Sequence, residues 1–344
     1  MRKKPFKLGD QTVFPGENKT INLELPKLYN TPTSIPVTVI NGRREGPVVF
    51  ISAAIHGDEL NGIEIIRRLK KVKILNKIKG TLLLVPIVNV YGTMTLSRYL
   101  PDRRDLNRSF PGSLKGSLGS RIAKIFFDTI VAQCDLGIDL HTGAIHRTNL
   151  PQIRTNIHNH ETLKLAKIFE APVVLHSNLR DGSLRACSDE QGIPILLYEA
   201  GEALRFDERS IKIGVRGIIN VLREKGMLLA NKKKRFKTPV IFSESGWIRS
   251  PQSGILRSKK RLGESVQKGE IIAYIDDPLG ESSLEVHALF SGIIIGKIQI
   301  PLVQEGDAVF HVAKYEDAEI AEDKIEYISQ QALLQNEFVE IGDE

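Results

Sequence analysis

His56 and Glu59 stand three residues apart in the segment HGDE, and His141 ends the segment LGIDLH. From a tight turn, an imidazole and a carboxylate at i and i+3 can reach one metal ion, and a second imidazole supplies a third ligand. Two histidines and a glutamate with one open position form a known catalytic zinc set. Such ligands leave the ion acidic enough to lower the pKa of bound water to about 7. Alone, His-x-x-Glu also describes a surface or capping pair. Asp139, two residues before His141, points the same way along a strand and is suited to orient a ligand or ring nitrogen. Glu199, in YEAGE, can serve as a general base toward water and pass the proton to a leaving amine. Glu202 is its competitor, and a cap or ion-pair role for Glu199 remains open. The segment SRYLPDRRDLNRSFPG (97–112) sets Arg98, Arg103, Arg104 and Arg108 among Asp102, Asp105 and Asn107. A guanidinium binds carboxylates through two parallel hydrogen bonds, and one positive group beside a developing oxyanion stabilises it. An exposed salt-bridge net is the alternative.

These residues need elements to hold them. From about 47 to 225, apolar runs of strand length alternate with segments of helical period. Strands are expected at 47–55, 79–89, 136–141, 171–176 and 193–199, and helices at 61–71, 120–133, 162–171 and 207–225. Ile63, Ile66 and Leu69 share a face of the first helix, and Ser120 is a candidate cap of the second. The alternation argues an α/β domain with a mixed or parallel sheet and helices on both faces. HGDE, DLHTG and YEAGE all fall at strand ends, so this architecture brings them to one rim.

NKKKRFK (231–237) reads as a basic linker before short β-like pieces. There, 250–275 and 288–312 form a faint repeat of small-Gly, strand, Gly-acid turn and strand. The two halves resemble the barrel-sandwich of biotinyl and lipoyl carrier domains. The hairpin between them, DDPLGESSLEV, contains no lysine, which argues against a swinging-arm cofactor. The expected division is a catalytic domain over 1–230, a basic linker over 231–242, a barrel-sandwich over 243–314 and an acidic tail over 315–344. In that tail Ile325, Ile328, Ala332 and Leu333 keep a loose apolar period, read as a packed helix or a frayed end.

In this order, HGDE, DLNRSFPG, DLHTG and YEAG resemble the succinylglutamate desuccinylase/aspartoacylase family, related to zinc carboxypeptidases, over about 45–230. The resemblance implies a zinc carboxypeptidase-like mixed sheet flanked by helices, with one Zn2+ per chain on His56, Glu59 and His141. It implies Glu199 as the acid/base glutamate and Asn107 and Arg108 as the pair that binds the substrate carboxylate. Arg98 is the choice for polarising the scissile carbonyl, with Arg103 and Arg104 as rivals, and Arg154 is a further pocket candidate. The implied activity is zinc-dependent amidohydrolysis of a linear amide: a deacylase for an N-acyl amino acid or similar small acylated amine. Carboxypeptidase-like or esterase action on another small carboxylate substrate is the first alternative, and a non-catalytic metal-binding module the second.

Composition sets the outer limits. The 344 residues are 41% hydrophobic and 26% charged, ample for a real core. Apolar runs near ten residues, such as 81–90, fall short of the roughly twenty that a membrane span needs. The basic start MRKKPFKLGD leads into no apolar stretch or cleavage site, so a cytoplasmic address is expected. Cys134 and Cys187 are too few for a disulfide framework or a cysteine metal cluster, and no Cys/His pattern surrounds them. Ten acidic residues against one lysine in 315–344 leave +16 for the rest of a chain whose net charge is +7. That excess suits nucleic acid or a small anionic substrate drawn to a basic cleft, and equally a plain solvated lysine-rich surface. No zinc-finger, RNP-like or Walker pattern supports a nucleic-acid or nucleotide partner, no membrane partner is expected, and a homo-oligomer is left open.

Overall fold

The computed structural model describes residues 3–230 and 237–334. A small hairpin, β1 (Phe6–Leu8) with β2 (Gln11–Val13), precedes β3 (Asn18–Glu24) and β4 (Ser34–Asn41). The alternating region follows as β5 (Arg44–Ala53), α1 (Asn61–Lys71), β6 (Lys79–Val85), the short α2 (Val90–Met94), α3 (Leu118–Thr129) and β7 (Leu136–Gly143). It continues as β8 (Arg147–Thr155), α4 (His160–Phe169), β9 (Val173–His176), α5 (Leu184–Glu190), β10 (Ile195–Glu202) and α6 (Glu208–Glu224). β6, β5, β7 and β10 lie parallel, flanked by antiparallel β4 and β3 on one side and antiparallel β8 on the other. This is the mixed α/β sheet expected from the alternation.

Strands covered on both faces need apolar residues on both, which is why they read as continuous hydrophobic runs. Val49, Ile51 and Ala53 of β5 and Ile138 and Leu140 of β7 share one core with α1, α4 and α6. Phe50 points the other way, edge-on to Phe126 of α3 and into a core with Val37 and Val39 of β4. Helix α1 has the expected bounds, but its buried row is Ile65, Ile66 and Leu69, and Ile63 is only half-buried. Ser120 is not the cap of α3: the helix starts at Leu118, and the Ser117 hydroxyl accepts the Ser120 N–H. β8 escapes the apolar reading because Asn149, Gln152 and Arg154 interrupt its run.

Residues 231–236 of the basic run lie outside the described residues. Residues expected to end the linker form β11 (Val240–Phe242), which extends the main sheet parallel to β9. Beyond it come β12 (Ser245–Arg249), β13 (Gly254–Ser258), β14 (Ser265–Val266), β15 (Ile271–Asp276), β16 (Ser283–His287), β17 (Gly292–Ile298), β18 (Leu302–Val303) and β19 (Ala308–Lys314). β16, β15, β13 and β18 form a separate four-stranded sheet. Its Leu256, Ile272 and Ile275 meet Ile248, Ile294 and Val309 of β12, β17 and β19 in a shared core. Those three strands continue the main sheet, because Gly296–Ile298 of β17 pair with Arg147–Asn149 of β8. The C-terminal β unit is therefore fused to the first sheet rather than hung from it.

The acidic segment folds as α7 (Ala318–Leu334), with Ala318, Ala321, Ile325 and Ile328 buried. It is a packed helix rather than a frayed end. The side chains of Ala332 and Leu333, and the chain from 335, lie outside the described residues. Among the described residues no helix is long and apolar enough to cross a membrane.

Candidate active site

The three polar motifs gather where the parallel strands end. After β5, Ala54 holds a φ of 51°, a left-handed backbone that is costly without glycine. The chain then turns through His56, Gly57, Asp58 and Glu59 into α1. Gly57 is required there, since a Cβ would stand 2.0 Å from the Gly92 carbonyl carbon. On β7, Asp139 and His141 alternate with the core residues Ile138 and Leu140 and so face the opposite side. The register pairs His141 with Glu199 of β10, which puts both on one face of the sheet.

His56, Glu59 and His141 are buried, and one ligand atom from each lies within 4.8 Å of the others. Glu59 bridges the rings: Oε1 is 2.7 Å from His56 Nδ1, and Oε2 is 2.8 Å from His141 Nδ1. The far nitrogens have their own carboxylates. His141 Nε2 lies 2.8 Å from Asp139, which also accepts from Ser52 Oγ, and His56 Nε2 lies 3.1 Å from Asp105. An imidazole that donates its Nε2–H to a carboxylate turns an Nδ1 lone pair toward the cluster. Two such nitrogens and a carboxylate suit a zinc ion, so the donor set fits the group that the sequence implies. Protons compete for the same atoms. Burial works against charge on His56, yet Glu59 and Asp105 raise its pKa; Asp139 and Glu59 do the same for His141, more strongly. Burial likewise opposes charge on Glu59 and Asp105, but the two imidazoles hold Glu59, and His56 with Arg98 hold Asp105, well below the usual carboxylate range.

Arg98 reaches this cluster, with Nη1 3.3 Å from Glu59 and Nη2 3.0 Å from Asp105. Arg103 and Arg104 do not: both are exposed, and Arg104 stands 3.9 Å from Asp102. Asp105, to which the sequence assigns no role, ties these groups together. It touches His56, Arg98 and the Asn107 backbone N–H, the last at 2.8 Å. Asn107 and Arg108 sit in the 3-10 turn Leu106–Arg108 and line the same cavity. The Asn107 Oδ1 accepts the Leu184 N–H at 2.9 Å, fastening the turn to the start of α5.

The cavity over the cluster measures about 690 Å³. Glu199 lines it, with Oε2 accepting from the Asn149 amide at 2.8 Å and Oε1 3.7 Å from Arg154. Glu202 does not line it and pairs with Arg205 at 3.6 Å. Arg147, Arg154, Arg180 and Arg185 add a cationic wall, of which the sequence offers only Arg154 as a candidate. Arg185 ties the carbonyls of Arg154, Ser177 and Asn178 together; burial and the neighbouring Arg154 lower its pKa to about 10. The C-terminal unit contributes Trp247, Arg249 and His311. His311 stacks on Trp247 at 4.5 Å, and Arg147 lies over the same indole at 5.6 Å. Burial, with Arg154 nearby, pushes the His311 pKa down to about 3, so the ring is neutral at pH 7. No sequence signal pointed to Trp247 or His311, whose neighbours in the site come from distant strands. His158 rests edge-on against His176, and among the described residues the His56 cluster is the one group of three or more His, Cys, Asp and Glu side chains placed so that it could hold a metal ion. Cys134 and Cys187 are buried free thiols.

Residues 45–225, more than half of the chain, match the succinylglutamate desuccinylase/aspartoacylase catalytic domain. The chain belongs to the succinylglutamate desuccinylase/aspartoacylase family. Among relatives within or near this family, N-alpha-acetyl-L-2,4-diaminobutyric acid deacetylase of Halomonas elongata is 28% identical over 294 residues, spanning 81% of this chain and 85% of the relative. The product-bound ectoine utilization protein EutE (DoeB) from Ruegeria pomeroyi superposes with a TM-score of 0.79 at 25% identity, covering 91% of this chain and 98% of that one. A succinylglutamate desuccinylase from Silicibacter sp. gives 0.79 at 26% identity over the same shares. The matched region spans HGDE, DLNRSFPG, DLHTG and YEAG, the segments that carry the site residues.

Proposed function

We propose that this chain is a zinc-dependent hydrolase that cleaves the amide bond of an N-acyl amino acid or a similar small acylated amine. The observation that carries the reading is the pairing of His56, Glu59 and His141 around one point, each imidazole backed by its own carboxylate, on the rim that also bears Glu199. The deacylase relative from Halomonas elongata supports the reaction class. His56, Glu59 and His141 would hold the zinc ion, which when bound supplies Lewis acidity to water and to the acyl carbonyl. Glu199 takes the proton from the attacking water and delivers it to the departing nitrogen. Arg98 stabilises charge that develops on the carbonyl oxygen. Arg108 and the Asn107 amide hold a substrate carboxylate, and the arginine-lined cavity favours a small anionic substrate.

Metal content per chain, measured on wild type and Glu59→Ala purified together, tests the core of this reading. About one zinc per wild-type chain, lost in the variant, is expected. A panel of N-acyl amino acids should then release the free amino acid. Release of C-terminal residues from peptides would move the assignment to a carboxypeptidase. Zinc binding without turnover of any amide or ester would make the domain a binding module.

A further inference from the structure

We propose that Asn149 is the positioning residue for Glu199, and that the C-terminal β unit holds Asn149 in place through Gly296. This rests on the reading of Glu199 as the acid/base group and deepens it. Among the described residues, the Asn149 amide is the one hydrogen-bond donor on the Glu199 carboxylate, 2.8 Å from Oε2. The Arg154 guanidinium, at 3.7 Å from Oε1, stands beyond hydrogen-bond reach. The backbone alone does not fix this carboxylate. The register of β10 slips immediately after Glu199 against both of its neighbours, and such irregularities re-aim side chains.

Asn149 is 7% exposed and sits on β8 between two strands, opposite Gly201 of β10 and opposite Gly296 of β17. Its Nδ2 donates to Glu199, so its Oδ1 faces away, toward Gly296. A Cβ at Gly296 would lie 3.0 Å from that oxygen and 3.2 Å from the His311 Cβ. Gly296 belongs to the three-residue stretch of β17 that joins the C-terminal unit to the main sheet. The junction between the two units therefore backs the amide that aims the carboxylate. An amide is needed here, because an aspartate could not donate to Glu199 and would set two carboxylates together. Proton transfer requires Glu199 within hydrogen-bond reach of water and then of the leaving nitrogen, so freeing its carboxylate should cost rate rather than affinity.

A double-mutant cycle on the full-length zinc-loaded protein tests this, using Asn149→Ala, Glu199→Gln, both together, and Gly296→Ala. The probes are the N-acetyl amino acid turned over fastest and 4-nitrophenyl acetate, whose leaving group needs no proton. Asn149→Ala should lower kcat on the amide about 10- to 100-fold, with KM within about threefold. The ester, which needs Glu199 to activate water but not to protonate a leaving group, should lose less, and Gly296→Ala should show a smaller loss of the same kind. In the Glu199→Gln background, Asn149→Ala should have no further effect, because the two residues act as one unit. A crystal structure of Asn149→Ala should show the Glu199 carboxylate turned from its wild-type position. Wild-type kcat in Asn149→Ala, or a carboxylate still in place, would overturn the proposal while leaving Glu199 as the base. Additive losses in the cycle would reduce Asn149 to a structural role. Wild-type turnover by Glu199→Gln would instead overturn the base assignment itself.

Discussion

The cavity has two unlike walls. On the strand-end wall, His56, Glu59, His141, Asp105, Asp139 and Arg98 partner one another in a closed network. On the far wall, among the described residues, Arg147 lies over the Trp247 indole, Arg185 meets carbonyl oxygens, His311 is held neutral, and Arg154 alone of these stands near a carboxylate, 3.7 Å from Glu199. A closed network keeps reacting groups in one geometry, and that geometry is where rate is made. Cations left without carboxylates are costly in a partly buried cavity unless a ligand supplies the charge, and that suits recognition. Under the proposed function, turnover belongs to the first wall, and the second helps choose the substrate.

The largest break in that contrast should come from His141→Ala. Loss of one of three ligands should remove zinc and lower turnover by about four orders of magnitude, read by metal analysis and steady-state rates. Arg98→Ala should lower kcat about 10²- to 10³-fold with metal retained; a change confined to KM would move Arg98 to the recognition wall. Asp105→Asn should weaken zinc about 10- to 100-fold in competition with a chromophoric chelator, since it backs His56. Unchanged affinity would show that the His56 ring is held without it. Arg108→Ala should raise KM about 10-fold or more with kcat within a few-fold, the signature of a carboxylate contact made equally in ground and transition states.

The smallest effect concerns pH. His311 has a folded pKa of about 3 against an ordinary 6.5. Below about pH 6.5 the unfolded chain takes up a proton that the folded chain refuses, so stability falls with pH until about 3. At pH 7 the ring is neutral in both states and contributes nothing to this term. His311→Gln should therefore move the acid-unfolding midpoint down by about half a pH unit and leave stability at pH 7 nearly unchanged. A midpoint that stays put would mean that other groups govern the acid limb.

Much of the first wall was legible before folding. Ligand-type residues interrupt apolar strands at their ends in HGDE, DLHTG and YEAGE, and strand ends in such sheets converge. The helix at 61–71 was equally plain, because its apolar period and its polar face agree. β8 was not, since its polar residues serve the cavity and break the strand pattern. Nor was the fusion of the C-terminal unit, which depends on a three-residue antiparallel contact between 147–149 and 296–298.

By itself the sequence determined the donor types, their order along the chain and the α/β frame, because side-chain chemistry and local periodicity are properties of neighbouring residues. Tertiary structure alone decided that Arg98 rather than Arg103 or Arg104 meets the cluster, that each imidazole offers Nδ1, and that Trp247 and His311 close the far side. Those outcomes are set by strand register and by contacts such as Asp105 with His56, 49 residues apart, and Asn149 with Glu199, 50 residues apart. Such contacts form only when the sheet is assembled, and no local pattern encodes the register that selects them.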